Sequence, residues 1–383
     1  MVHSSFAVRG GAERYVRDLS AALAARGHEV RVFCRASDHG EPDDRRVPAR
    51  LSARVPLPWS PARKVLTHLG DLFDPTGLRV RDLRPYRPDV VHVHNWQGLG
   101  ILPVARLARA YPTCHTVHDH ALCDPNNALG NSGRSAAVDR LLRLRSAWLA
   151  GRLRHATLLW PAQRIRGTVA ARVPGAERLR GRVVPLAVPM AVPDQGPGPR
   201  NAFLYLGALS PHKGVDLLLD AWRQVHREVD ATLVLAGDGP LRAEVEDAAR
   251  RLPTVRYLGF LDGAGKAATL RDAGWLVFTS QCAEVFGIVC VEALVAGRPI
   301  VASTVAAPPM ASAASTVTFT GRGELADALV RAARLPVDGY AAMAASAAAD
   351  GRRLDWDSHV DAIVEVYAAL GAAARSPLAG RPA

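Results

Sequence analysis

Lysine is nearly absent from this chain. Its 383 residues hold 45 arginines and only three lysines, Lys64, Lys213 and Lys266. A lysine at a given place is therefore more telling than usual. Cysteine is sparse and odd in number: Cys34, Cys114, Cys123, Cys282 and Cys290. Their spacing fits no zinc signature, and reduced thiols are expected. Cys290, in an apolar stretch, should pack as a small hydrophobe. No apolar run of about 18 residues occurs, which excludes a membrane-spanning helix. The N-terminal stretch MVHSSFAVRGGAERY lacks the basic-then-apolar pattern of a secretory leader, so a cytoplasmic protein is expected. G-x-G-x-x-G is missing from the first glycine-rich loop, which counts against an NAD-type oxidoreductase.

What is present is the composition of a globular protein, 49% hydrophobic and 22% charged. The length suits two domains of ordinary size. The formal charge of +12 has two readings. It can mark an acidic partner: nucleic acid, an anionic membrane or a phosphorylated substrate. It can also reflect a GC-rich genome that writes basic residues as arginine. No nucleic-acid partner is expected.

Short β-rich runs alternate with amphipathic helices through both halves. GAERYVRDLSAALAARG places Val16, Leu19 and Leu23 at helical spacing, and Gly27 ends that helix. HEVRVFC, PDVVHVHN, TCHTVHD, HATLLW and RVVPLAV read as strands, with a helix from about Leu99 to Ala110. His92 and His94 alternate along their strand as core or cleft lining. The first strand looks short; either the edge is trimmed or the start lies a few codons upstream. After the Pro/Gly-rich PMAVPDQGPGPRN, the strands AFLYLGAL, ATLVLAGDGP, VRYLGF, WLVFTS and PIVAS alternate with helices. Such alternation predicts an α/β protein of two Rossmann-like, doubly wound domains facing a central cleft. The expected boundaries are a first domain over 1–188, a linker over 189–200, a second domain over 201–351, and a C-terminal helix and tail over 352–383 that pack back on the first domain.

The stretch AEVFGIVCVEALVAGRPIVAS, Ala283–Ser303, carries two carboxylates in apolar surroundings. Ligands of open α/β sheets sit beyond the carboxyl ends of strands. A helix starting near Phe286 or Gly287 would offer free N–H groups and a positive dipole end to a phosphate. Gly287 would let a ligand approach the backbone. Glu284 lies just before that helix and Glu292 within it. Carboxylates accept paired hydrogen bonds from vicinal hydroxyls, as on riboses and hexoses. The competing reading is that both are solvated or dipole partners.

E-x7-E in this setting resembles the retaining, nucleotide-sugar-dependent glycosyltransferases of family four, which have the GT-B fold. GGAERYVRDLSAALAARGHEV, DVVHVHNWQGLG, HTVHDHALCDP, YLGALSPHKGVDLLLDAW, LAGDGP, VRYLGFL and DWDSHVDAIVEVY resemble further family segments in the right order. The likeness covers nearly the whole chain. It implies that Glu292 binds the nucleotide ribose and Glu284 the hydroxyls of the transferred sugar. Amides around Phe286, Gly287, Ile288 and Val289 would meet the diphosphate, and Lys213 would neutralise it. Gly207, Gly237 and Leu261 would line the donor pocket, with base recognition near Tyr257 to Leu261. In the first domain Gly10 and Gly11 would form the loop near the diphosphate and acceptor, with Asp119 beside it; Glu13, in the first turn of its helix, reads either as a dipole partner or as an acceptor contact. His118 would contact the transferred sugar.

One position departs from the family. An arginine usually follows the glycine that is Gly207 here, and this chain has Ala208. Asp355-Trp356-Asp357 matches the D-x-D of another glycosyltransferase fold, but it opens the terminal helix, where aspartate caps; no metal and no cofactor are expected. The donor is expected to be a nucleoside diphosphate sugar, UDP foremost and GDP next. The acceptor is open among glycans, lipids and secondary metabolites. Rival readings are a catalytically weak nucleotide-sugar-binding protein and a nucleotide-sugar epimerase of the same fold. The basic, apolar segment 134–154 reads either as a contact for an anionic membrane or as an ordinary helix with solvated arginines.

Overall fold

Strands that are buried on both faces need helices on both sides of their sheet. Val91–Val93 and Ile300–Ser303 are strands of this kind, buried throughout. A computed structural model describes residues 1–4, 10–34, 44–47, 50–54, 60–126, 129, 134–190 and 196–375. It divides into two units, Met1–Pro185 with the segment from Asp357 onward, and Leu186–Trp356.

Among its described residues the first unit holds seven parallel strands: β1 (Val2–His3), β2 (Val32–Cys34), β3 (Asp44–Arg46), β4 (Val91–Val93), β5 (Thr113–Thr116), β6 (Thr157–Trp160) and β7 (Gly181–Val183). Their order is β3-β2-β1-β4-β5-β6-β7, so the sheet changes direction between β1 and β4. The connecting helices are α1 (Gly11–Ala25), α2 (Pro61–Phe73), α3 (Val80–Leu83), α4 (Ile101–Ala110), α5 (Ala136–Leu153) and α6 (Gln163–Arg172). β1 has only two residues, in keeping with the short first strand read from the sequence. Gly27 closes α1 with φ of 85°.

The second unit holds β8 (Ala202–Leu206), β9 (Thr232–Ala236), β10 (Val255–Tyr257), β11 (Trp275–Phe278), β12 (Ile300–Ser303) and β13 (Thr316–Phe319). Their order is β10-β9-β8-β11-β12-β13, again parallel, with the change of direction between β8 and β11. Its helices are α7 (Val215–Val225), α8 (Arg242–Arg251), α9 (Gly263–Asp272), α10 (Ile288–Val295), α11 (Gly321–Ala333) and α12 (Val337–Arg352). Phe203 and Trp275 stack at 6.2 Å, and Trp222 meets Phe203 edge-on at 5.7 Å. Arg298 is buried, and its guanidinium donates to the carbonyls of Leu270, Arg271 and Gly196. That satisfies a buried cation and ties the C-terminal end of α9 to β12.

α13 (Trp356–Arg375) completes the first unit. Tyr15 and His359 share a hydrogen bond of 2.9 Å, and His92 Nδ1 meets the Tyr367 hydroxyl at 2.6 Å. Arg26 pairs with Asp357 at 3.0 Å and with Asp361 at 2.6 Å. The aspartate that closes the D-x-D triplet thus holds α13 to α1.

His3, His92, His94, His115 and His359 are all buried in this unit. Burial pushes the imidazoles of His115 and His359 down to about 4 from 6.5. Between these values the unfolded chain binds more protons than the folded one, so stability falls as pH falls through that window. Thermal unfolding followed from about pH 7 down to about pH 5 should show a falling Tm, with roughly 1.4 kcal/mol lost per pH unit per histidine. A flat Tm over that range would contradict the buried neutral imidazoles.

Candidate functional site

In the second unit two loops leave the carboxyl ends of β8 and β11, the strands flanking the change of direction. The first loop ends in a single 3₁₀ turn, Pro211–Lys213, closed by Gly214 at φ 71°. A Cβ on Gly214 would collide with the Thr279 carbonyl. The close approach lets Thr279 Oγ1 donate to the Lys213 carbonyl and the Gln281 amide donate to the His212 carbonyl, both at 2.9 Å. With the loops joined, Lys213 Nζ reaches Glu284 Oε1 at 2.5 Å. Ser280 Oγ donates to the same oxygen at 2.6 Å. Two donors thus hold one oxygen of a carboxylate that is 16% exposed, which fixes its orientation.

The chain then enters α10 through Gly287, at φ 75°. A Cβ there would lie 3.2 Å from the Phe278 ring and 3.4 Å from Cys290 Sγ, so both geometry and space select glycine. Phe286 is buried and anchors the turn. Cys290 and Val291 donate to the Gly287 carbonyl, and the amides of Gly287, Ile288 and Val289 precede these first helical bonds. Such amides, at the positive end of the helix, suit an anion.

Glu292, in the second turn of α10, is neither solvated nor a dipole partner at the helix start. It is 3% exposed, and its Oε1 is paired with Lys266 Nζ of α9. Sequence reasoning missed Lys266. The signal was present in the scarcity of lysine, since two of the three lysines each sit on one glutamate of E-x7-E. Leu261 is half-buried just ahead of α9, whose first turn is capped by Asp262 through the Gly265 amide. On the other side of β8, a Cβ on Gly237 would collide with the Gly207 carbonyl, so these two loop backbones touch. The Tyr257 hydroxyl donates to the Gly237 carbonyl at 2.9 Å and the Tyr205 hydroxyl to the Ala208 carbonyl at 2.8 Å. Ala208 itself is exposed and offers no cation.

The remaining candidates belong to the first unit. Gly10 precedes α1 in extended backbone, which any residue adopts, and Gly11 begins the helix. A Cβ on Gly10 would lie 3.1 Å from Glu13 Oε2, so the missing side chain leaves room for that carboxylate. His118 and Asp119 follow β5. His118 Nε2 meets His94 Nδ1 at 3.3 Å, and the Tyr15 ring lies 5.2 Å away. Burial, reinforced by His3, His115 and His359, holds the His118 imidazole well below its usual range. It is therefore a neutral hydrogen-bonding group near pH 7. Asp119 accepts from the Ala121 amide at 2.9 Å, and burial pushes its carboxyl up. Among the described residues no group of three histidines, cysteines or carboxylates is placed to hold a metal. No described helix is long and apolar enough to cross a membrane.

The Lys266–Glu292 pair has side chains only 12% and 4% exposed, where a lone charge is costly. Lys266→Met should destabilise the protein by about 3 kcal/mol, and adding Glu292→Gln should recover part of that loss. A double-mutant cycle in urea reads both numbers. A coupling near zero would show that the pair is not formed.

Comparison with known proteins follows the same division. A family model for glycosyl transferases group 1 matches residues 200–334, and one for glycosyltransferase family 4 matches residues 9–186. The chain is 30% identical to a glycogen synthase of Mycobacterium tuberculosis, over 97% of this chain and 94% of that protein. It is 29% identical to a phosphatidyl-myo-inositol mannosyltransferase of the same species, over 78% and 75% of the two chains. The fold is shared with sucrose-phosphate synthase of Thermosynechococcus elongatus, at a TM-score of 0.69 and 19% identity over 97% and 99% of the chains. It is shared also with Anabaena HepE solved with UDP-glucose, at a TM-score of 0.66 and 17% identity over 96% and 99%.

Proposed function

The chain belongs to the family 4 glycosyltransferases of GT-B fold, and from that premise we propose that it moves a hexosyl unit from a nucleoside diphosphate sugar to an acceptor hydroxyl with retention of configuration. UDP is the foremost base and phosphate carrier, GDP the next; the acceptor is a hydroxyl of a glycan, a lipid or a secondary metabolite. The observation that carries this reading is the pair of lysine–glutamate contacts, Lys213–Glu284 and Lys266–Glu292, beside the amino end of α10. A nucleotide sugar needs cations and amides for its diphosphate, and oriented carboxylates for its ribose and hexose hydroxyls.

In the proposed reaction the bond between the anomeric carbon and the β-phosphate oxygen breaks. The acceptor oxygen bonds to that carbon on the same face, and the acceptor proton passes to the leaving phosphate. Lys213 and the amides of Gly287, Ile288 and Val289 stabilise the charge that develops on the diphosphate. Glu284, held by Lys213 and Ser280, orients the hexose, and Glu292 the ribose. Gly207, Gly237 and Leu261 shape the pocket wall for the base. Gly10, Gly11, Glu13, His118 and Asp119 serve the acceptor and the transferred sugar from the first unit. The reaction as proposed uses no metal and no cofactor. The setting is the cytoplasm, and the proposal includes peripheral contact of the first unit with an anionic membrane.

A second reading, a nucleotide-sugar-binding protein with little turnover, is favoured by Ala208. A charge-assisted phosphate contact contributes about 1.5–3 kcal/mol. Ala208→Arg should therefore raise turnover by roughly tenfold or more, since each 1.4 kcal/mol off the barrier is a factor of about ten. The donor is identified by thermal stabilisation with UDP-, GDP-, ADP- and dTDP-sugars. A stabilising shift with one base, abolished by Glu292→Ala, supports the site; no shift with any of them would refute it. Binding of a donor without transfer or hydrolysis, unchanged in the Ala208→Arg protein, would favour the binding-protein reading.

A further inference from the structure

We infer that His94 is a positioning residue that fixes the tautomer of His118, so that His118 meets a sugar hydroxyl as an N–H donor and not as a base. This rests on the role proposed for His118 above, and adds the atom that acts and the residue that sets it. A neutral imidazole has one N–H donor and one bare acceptor nitrogen, and the partner of one nitrogen decides the state of the other. His94 follows β4 and His118 follows β5, which are neighbours in the sheet. His94 Nδ1 lies 3.3 Å from His118 Nε2, so one of the two carries the proton between them. The far nitrogen of His94 decides which. His94 is 1% exposed, and its Nε2 has no hydrogen-bond partner among the described residues. Were Nδ1 the acceptor, the neutral ring would carry its proton on Nε2 and bury an N–H with nothing to receive it, which folded proteins rarely tolerate. Nδ1 is therefore the donor, and His118 Nε2 accepts. The proton of His118 is then on Nδ1. His118 is half-buried, and its hydrogen bond among the described residues uses Nε2, so the Nδ1–H edge is the one left for a ligand.

The surroundings hold both rings neutral and in place. Burial, and then His92, His118, His3 and the amino terminus, keep the His94 imidazole well below its usual range. His118 is faced by His3 of β1, Tyr15 of α1, His94, His115 of β5 and His359 of α13, and it is lowered in the same way. The His94 ring lies on His92 with centroids 3.9 Å apart. His92 is bonded at both nitrogens, to the Tyr367 hydroxyl of α13 at 2.6 Å and to Thr116 Oγ1 at 2.7 Å. Tyr15 packs edge-on against His94 at 5.7 Å and against His118 at 5.2 Å. These contacts oppose a turn of either imidazole, so the tautomer is set by the core beneath it. A bare nitrogen can take a proton from a hydroxyl, whereas an N–H of a neutral ring can only donate to its oxygen. His118 in this form orients a hydroxyl and leaves the acceptor proton to the departing phosphate, in keeping with the reaction proposed above.

The test is the long-range proton–nitrogen NMR spectrum of the full chain labelled with ¹⁵N-histidine near pH 7, with His118→Gln identifying the His118 signals. The unaltered protein should show His118 protonated on Nδ1 and bare on Nε2. His94→Leu removes the donor, and His118 should shift toward Nε2–H, the form a free imidazole prefers. His94→Asn, whose amide N–H stands near the place of Nδ1, should restore the original pattern. UDP-, GDP-, ADP- and dTDP-glucose are then added in turn. The sugar nucleotide that stabilises the protein should move the His118 Nδ1 signal, and its nucleoside diphosphate alone should not. His118 protonated on Nε2 in the unaltered protein, or an unchanged pattern in His94→Leu, overturns the inference. So does a sugar nucleotide that stabilises the protein and leaves the Nδ1 signal in place. If none of them stabilises it, the donor reading fails, while the spectrum of the free chain still decides the tautomer. That spectrum needs no variant at position 94, so poor folding of His94→Leu does not blunt the test.

Discussion

The donor region rests on one steric fact, the contact of two loop backbones at Gly214 and Thr279. A side chain on Gly214 would push the loops apart, and the bonds from Thr279 and Gln281 to the Lys213 and His212 carbonyls would break. Lys213 would then no longer stand over Glu284. A second backbone approach, Gly237 on Gly207, closes the neighbouring loops in the same manner. The site is therefore built from main-chain proximity, and its charged side chains are carried into place by it. A parallel sheet makes this economical, since all its strands deliver their loops to one edge.

The architecture was legible because its physics is local. Buried strands such as Ile300–Ser303 read as short apolar runs, and α1 and α7 show helical periodicity that no strand would have. α10 and its two glutamates stood out because carboxylates are rare in such surroundings. Other elements carry weaker contrast. α9, GAGKAATLRD, and α12, rich in alanine, have no sharply defined apolar face, so sequence periodicity did not announce them. β3 and α2 lie between Cys34 and Val91, a span from which no element was read.

The pairing of side chains was less legible than the elements. The role of Glu292 followed from resemblance, but its partner Lys266 lies 26 residues earlier on a different helix, and only the sheet order brings α9 beside α10. The histidines were equally hidden. His92 and His94 were read as core or cleft lining, and the fold shows them as core, the one bonded to Tyr367 of α13 and the other to His118. These contacts join residues up to 344 positions apart, as for Tyr15 and His359, which no window on the sequence can span.

The scarcity of lysine has a consequence for the protein's covalent chemistry. Arginine does not acylate under conditions that modify amines, so side-chain amine chemistry is confined to three positions in the whole chain. Two of them, Lys213 and Lys266, are engaged with Glu284 and Glu292, and their side chains are 31% and 12% exposed. The third, Lys64, is exposed on α2. An acyl-transferring metabolite, or an amine-directed tag, would find almost no inert surface on which to be spent. Each side-chain modification would fall on the donor region or on α2, which makes the extent of lysine acylation a direct readout of the state of those two places.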